Sequence, residues 1–534
     1  MTSVPFGPPG RAGGRWPGRR WWTLIAVCAA SFMLMIDVTV VQVALPAIQH
    51  HLRASFTDLQ SVIDAYALTL ASLLLTAGTL ADRLGRRLLY TIGLGLFAFT
   101  SLLCALSPSA LFLIFARAGQ GVGGAIMFAT ALALLAQEFH GRERGTAFGI
   151  WGATIAASAA VGPLLGGALT EGLGWSSIFY INVPIGIAGA ALTATKVTES
   201  RDPEARRIDW IGTITFTAGL FLLVLAIIRG NADGWGSAPI VALFSGSALF
   251  LATFLVSQFV QENAMFDVTL FRKPTFSGAS IVAFSVSSSM FAMFLYLTLY
   301  IQTLLGLSPL QTGLRFLPFT VVSFFVAAAS GNLSARIPFR FLLGAGLVMT
   351  GVGLFLMRGL TASSDWSVLL PGFIVAGAGV GLLNPALAAT AIGVVPPQRS
   401  GMASGINNTF RQVGIATGIA GLGALFESRI SSLLAPRLTG TPAAGHAAQI
   451  GHAVAAGGTQ TVLHSVPQAE RAQATAAVHV AFASAMNEIL LVAGVIALVG
   501  ALLAVALVRS RDFVTYGGPE PAAPPPPEYA ETTA

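Results

Sequence analysis

Gly78-Thr79-Leu80-Ala81-Asp82-Arg83-Leu84-Gly85-Arg86-Arg87-Leu88-Leu89 is a short charged turn between two long apolar runs. A second stretch, Gly331-Asn332-Leu333-Ser334-Ala335-Arg336-Ile337-Pro338-Phe339-Arg340-Phe341-Leu342, aligns with it without a gap. The alignment keeps the first Gly, the inner Leu, two Arg positions and the final Leu. Two further echoes accompany it: Gly121-Val122-Gly123 with Gly379-Val380-Gly381, and Gly145, Ala147, Gly149 and Ile150 with Gly401, Ala403, Gly405 and Ile406. The offsets, about 253, 258 and 256 residues, are nearly constant, which is the mark of an internal duplication.

Outward from these turns the chain is apolar almost throughout. It is 54% hydrophobic and 10% charged, against about 25% charged in ordinary globular chains. So few charges cannot cover a water-exposed surface, and the bilayer must be the solvent. A span needs about 20 mainly apolar residues. That template predicts fourteen helices, near 22–45, 59–81, 88–106, 111–136, 146–169, 178–197, 211–229, 239–258, 277–304, 313–333, 341–360, 367–394, 404–427 and 480–508. The repeat offset exceeds six spans and fits six plus two. The expected architecture is therefore an all-α membrane protein: a cytoplasmic segment 1–21, a six-helix bundle over 22–197, two inserted helices within 198–276, a second six-helix bundle over 277–508, and a disordered cytoplasmic tail over 509–534. The second bundle includes an extracytoplasmic loop at 428–479. Paired six-helix halves around a central site are the arrangement that alternating access uses.

The net charge of +7 does not point to nucleic acid, because the basic residues form no stripe or aromatic-interleaved patch. They sit instead in short loops. With the N-terminus inside, about 20 of the 29 Lys and Arg fall on one side, among them Arg142, Lys196, Arg206, Arg207, Arg272 and Arg399. About six fall on the other, and Arg117, Arg315 and Arg411 lie in or at the edge of spans. This asymmetry places both termini in the cytoplasm. Arg11, Arg15, Arg19 and Arg20 before Trp21-Trp22 resemble a signal peptide, but the apolar run continues to about Leu45, too long for a signal core. Cys28 and Cys104 lie inside apolar segments and make no disulfide framework. His446, His452, His464 and His479 are too irregularly spaced to predict a metal site. Neither a Walker pattern nor a nucleophile–base arrangement occurs, so no enzymatic chemistry, ATP or cofactor is expected.

Four motifs give the chain its resemblance to the major facilitator superfamily, specifically the fourteen-span drug:proton antiporter branch of the multidrug and quaternary-ammonium resistance type. The resemblance runs from Trp22 to Arg509. The first motif is the charged turn itself, Gly78-x-Leu80-Ala81-Asp82-Arg83-x-Gly85-Arg86-Arg87. Its glycines allow a tight turn, and Asp82 can pair with an Arg near a helix end, a cluster able to latch one conformation. The second copy has Ala335 and Pro338 in place of Asp82 and Gly85, so the latch should be one-sided. The second motif is Arg117-Ala118-Gly119-Gln120-Gly121-Val122-Gly123-Gly124-Ala125. An Arg inside a span requires a carboxylate or carbonyl partners, and the resemblance implies a part for Arg117 in proton transfer. The other half has Val375 there.

The third motif is Gly162-Pro163-Leu164-Leu165-Gly166-Gly167. Physically it reads as a bent, closely packed helix; the resemblance implies an antiporter. The fourth is Ile36-Asp37-Val38-Thr39-Val40-Val41-Gln42-Val43-Ala44-Leu45-Pro46, with Ile36 and Gln42 as departures from the family pattern. Asp37 lies within an apolar run, where burial opposes a bare charge and Arg117 or a cationic cargo favours it. A group so balanced can trade a proton for cargo. Asp64, before Tyr66, matches an acid found in some members, and the resemblance implies a substrate-binding role for this pair; Ser61 stands where most members have Trp. Ser176-Ser177 replaces a usual Arg-Trp. Glu427 and Glu488 are secondary acid candidates.

The expected activity is proton-coupled export of drugs or other small amphipathic or cationic compounds across the cytoplasmic (inner) membrane. The expected partners are the small-molecule substrate, protons and the lipid bilayer, with the chain acting as a monomer. Dedicated export of an endogenous metabolite, siderophore or peptide, or proton-coupled import, remain open alternatives.

Overall fold

A computed structural model describes residues 18–54, 56–139, 141–201, 209–261, 266–334, 336–396, 399–437 and 471–514. Fourteen long helices dominate: α1 (Arg19–Leu52), α2 (Phe56–Leu84), α3 (Arg86–Ala105), α4 (Ala110–Glu138), α5 (Gly141–Leu173), α6 (Asn182–Lys196), α7 (Trp210–Asp233), α8 (Ala238–Val260), α9 (Pro274–Leu304), α10 (Pro309–Leu333), α11 (Phe339–Leu356), α12 (Leu370–Gly393), α13 (Ser400–Arg437) and α14 (Arg471–Leu507). No strand occurs among the described residues. Each apolar run read from the sequence falls on one of these helices. Their starts are set by local chemistry. Ser109 accepts from the Phe112 N–H at 3.3 Å at α4, Ser308 and Gln311 cap α10 reciprocally, and Asp209 accepts from the Gly212 N–H at 2.7 Å at α7.

Among the described residues, thirteen helices are long and apolar enough to cross a bilayer, α6 together with the turn Ser177–Tyr180 that precedes it. The exception is α5, rich in Gly, Ala and Ser and opening with Arg142, Glu143 and Arg144. It packs between α1 and α10, so close helix contact, rather than contact with lipid, suits its small side chains.

The two halves repeat one packing scheme. In the first, α2 packs on α4, α3 on α4 and α6, and α1 on α4, α5 and α6. In the second, α10 packs on α12, α11 on α12 and α14, and α9 on α12, α13 and α14. The inserted helices α7 and α8 form a hairpin, with α7 lying against both α2 and α13. Contact between the halves is also reciprocal: α2 meets α13, and α5 meets α10.

Two boundaries differ from expectation. The loop at 428–479 is shorter, because α13 continues to Arg437 and α14 begins at Arg471. Ala- and Leu-rich turns sustain a helix beyond its apolar limit, and Arg429 in the α13 extension pairs with Glu488 of α14 at 2.9 Å. His479 lies in α14; His446, His452 and His464 lie outside the described residues. The disordered tail expected from 509 is corrected for residues 509–514. Asp512 accepts from the Thr275 N–H (3.2 Å) and hydroxyl (2.7 Å), capping α9, and Phe513 stacks on Phe339 at 5.1 Å. The Val514 N–H donates to the Gly393 carbonyl at 2.9 Å. Residues 515–534, 1–17, Arg206, Arg207 and Ala335 lie outside the described residues.

Candidate functional site

Asp37, at the middle of α1, is 1% exposed, and Arg117, two turns into α4, is 2% exposed. An Arg Nη1 donates to Asp37 Oδ2 at 2.5 Å. Asp37 Oδ1 accepts from Gln120 Nε2 at 3.1 Å and from Asn182 Nδ2 at 2.9 Å. The carboxylate therefore takes three donors from two further helices, α4 and α6. Gln120 completes the cluster: its Oε1 accepts from Arg117 Nη1 at 2.8 Å, and its Nε2 donates to Ser101 Oγ on α3 at 2.7 Å. The Cys104 thiol also donates to Gln120 Oε1, at 3.3 Å. The guanidinium carbon lies 4.2 Å from the centre of the Tyr66 ring, a cation–π contact, and 5.9 Å from that of Phe179.

Apolar layers close this cluster above and below. On the side of the α3–α4 loop lie Ile36, Val40, Cys104, Leu113, Trp175 and Phe179. On the other lie Leu34, Leu70, Phe97 and Met127. In such surroundings a buried ion pair holds only if its remaining donors and acceptors are satisfied, which the two amides do.

The antiporter-like helix element touches this site through α1. A methyl group on Gly162 would overlap the Thr39 hydroxyl, and one on Gly166 would come within 3.2 Å of Val40 Cα. Thus α5 lies directly on the turn of α1 that carries Asp37. Gly167 has open space beside it, so contact does not require a glycine there. The Pro163 side chain lies outside the described residues.

The charged turn forms a second site, at the face where α1 begins. Asp82 accepts from Arg86 Nε and Nη2 at 2.9 and 2.7 Å. It also accepts from the Gly401 and Met402 N–H groups of the other half, at 3.0 and 2.8 Å. It therefore caps α13, where a carboxylate satisfies free N–H groups and the helix dipole together. Gly85 adopts φ +121, a backbone conformation suited to glycine, and turns α2 into α3. Glu199 then accepts from the Arg87 and Leu88 N–H groups at 3.0 and 3.1 Å. Arg83 lines a small hollow between α2 and α7 with Thr76, Thr79, Asp209 and Trp210. The repeated glycines interlock crosswise. Gly78 meets Gly401 and Gly331 meets Gly145, so close that a methyl on any of the four would strike the opposite backbone.

Residues 27–419 match the sequence profile of the Major Facilitator Superfamily. The chain belongs to the Major Facilitator Superfamily. Within this superfamily it is 37% identical to the multidrug resistance protein Stp of Mycobacterium tuberculosis, over 78% of each chain. It is 32% identical to the tetracenomycin C resistance and export protein of Streptomyces glaucescens, over 91% of each. It is also 35% identical to the methylenomycin A resistance protein of Streptomyces coelicolor, over 78% of this chain and 88% of that one. The fold matches the crystal structure of the human organic anion transporter MFSD10 (TETRAN) with a TM-score of 0.58, at 14% identity, covering 90% of this chain and all of that one.

Within the superfamily fold, the sequence-predicted residues separate into three places. Asp37, Arg117 and Tyr66 come together. Gly78, Asp82, Gly85, Arg86 and Arg87 come together at the charged turn. Asp64 joins neither: it is half-buried on α2. Sequence reasoning missed Gln120, although it stands in a quoted motif, and Asn182 as ligands of Asp37, because a neutral amide carries no charge signal. It also missed Glu199, which lies far from the turn it caps. Glu488 is spent on Arg429.

Proposed function

We propose that this chain is a proton-coupled exporter of drugs or other small amphipathic or cationic compounds, working as a monomer in the cytoplasmic membrane. Membership of the superfamily and the names of its relatives, as resistance and export proteins, support the direction of transport. The observation that carries proton coupling is the enclosed Asp37–Arg117 pair with its two amide ligands.

The Lys/Arg bias assigns the face of the charged turn, and with it both termini, to the cytoplasm. In the arrangement described, that face is held shut by the crossed glycines and by Asp82 on α13. A proton reaching Asp37 from outside cancels its charge and removes the ionic bond to Arg117. Arg117 then keeps Gln120, the Val62 carbonyl at 3.5 Å and the Tyr66 ring. Loosening α1 from α4 at this point favours cargo release outward. Release of Asp82 from α13 opens the cytoplasmic side, where the proton leaves and cargo enters. Proton and cargo thus stabilise opposite charge states of one group, and the gradient drives the cycle without a cofactor. Dedicated export of one metabolite is the second reading, supported by the 32% identity to the tetracenomycin C resistance and export protein.

The test is ethidium accumulation in cells stripped of their own efflux pumps. Expression of the chain should lower accumulation, and a protonophore should restore it. Unchanged accumulation, or export that survives the protonophore, contradicts the proposal.

A further inference from the structure

The second half holds a buried arginine of its own, with different company. Arg411 on α13 is 9% exposed, and its Nη2 donates to Asn384 Oδ1 of α12 at 2.5 Å. Among the described residues no Asp or Glu forms an ion pair with it. One turn earlier on the same face, Asn407 is 3% exposed and its amide Nδ2 has no acceptor. A guanidinium offers five N–H donors; a neutral amide oxygen engages one and cannot balance the charge. An isolated charge and an unpaired amide are both expensive at this depth.

Depth and position also bear on the role. Arg411 lies eleven residues into α13 and Asn384 nine residues from the end of α12, about 14–16 Å along each helix from the same face. That is the middle of a bilayer core about 30 Å thick. The neighbouring Asn408 donates to the Phe128 carbonyl of α4 at 3.3 Å, so this stretch of α13 borders the opposite half. Cargo sites of two-half transporters lie at that level and junction. By the repeat alignment, Arg411 corresponds to Ile155 in the first half, so the duplicated plan does not account for it.

We infer that Arg411, Asn384 and Asn407 form a recognition site for the carboxylate, or another anionic oxygen group, of an amphipathic cargo molecule. The inference rests on the exporter reading only in calling the ligand cargo. It adds a second contact to the cycle: Asp37 alternates between proton and cargo in one half, and Arg411 binds an anionic oxygen group of the same cargo in the other. A carboxylate there accepts from the guanidinium and from Asn407, in the charge-assisted bonds that make Arg the favoured carboxylate binder.

The test is equilibrium fluorescence binding to the purified full chain, without a proton gradient, using dansylglycine and its uncharged carboxamide. Wild type should bind the carboxylate at least tenfold more tightly than the carboxamide. Arg411→Gln should erase that preference and Arg411→Lys should keep part of it. Asn407→Asp places an internal carboxylate beside Arg411; it should also erase the preference while raising the melting temperature, which guards against a misfolded variant. Equal affinity for both probes, binding of neither, or a preference that survives Arg411→Gln or Asn407→Asp overturns the inference. Because no gradient is present, failure of proton coupling would leave these results unchanged.

Discussion

The Asp37 carboxylate is held by a cation and two amides from α4 and α6, and its consequences are those of a buried pair rather than a surface one. Removing one member of such a pair leaves an uncompensated charge and costs about 3–5 kcal/mol. Arg117→Ala is therefore expected to lower stability by about that amount, while Asp37→Asn with Arg117→Gln together should recover most of it. Thermal unfolding in detergent of Arg117→Ala, Asp37→Asn and the double variant checks this, and additive losses would contradict it. Asp37 was legible in the sequence because a lone acid in an apolar run stands out. Its partners Gln120 and Asn182 were not, since nothing in their type distinguishes a ligand from a packed polar residue. Asp64 shows the converse: the sequence offers it as a second acid, and the structure leaves it outside the Arg117 cluster.

Among the elements, the contacts between halves depend on glycine backbones meeting without side chains. Gly78→Leu and Gly331→Leu should each reduce export at least tenfold by holding the cytoplasmic face apart, read as initial ethidium efflux; wild-type rates in either would remove the crossed contact from the mechanism. The α5 glycines give a finer comparison. Gly162→Ala drives a methyl into Thr39 and should impair export strongly, whereas Gly167→Ala meets open space and should not. Equal effects of these two variants would contradict the packing described. The duplication was legible from the offsets, and with it the two halves. The crossed pairing was not, because a repeat tells which residues correspond but not which ones touch. The same limit hid the cap that Asp82 places on α13, more than three hundred residues away.

For the molecule as a whole, the membrane class and helix positions follow from composition and the lengths of the apolar runs, while helix ends follow from polar contacts that hydropathy does not register. The docked segment at 509–514 is the clearest case. Deleting 515–534 should leave export unchanged, whereas Asp512→Ala should cost about 1 kcal/mol by uncapping α9, seen as a lower melting temperature. The central claim, that cargo and proton alternate on Asp37, concerns the entire cycle and has a direct measurement. Proteoliposomes loaded with ethidium and the pH dye pyranine, without an imposed pH gradient, should acidify as ethidium leaves through the wild-type chain. With Asp37→Asn that coupled acidification should vanish while the protein remains folded. Ethidium exit without proton entry in the wild type, or undiminished proton entry with Asp37→Asn, would contradict the account.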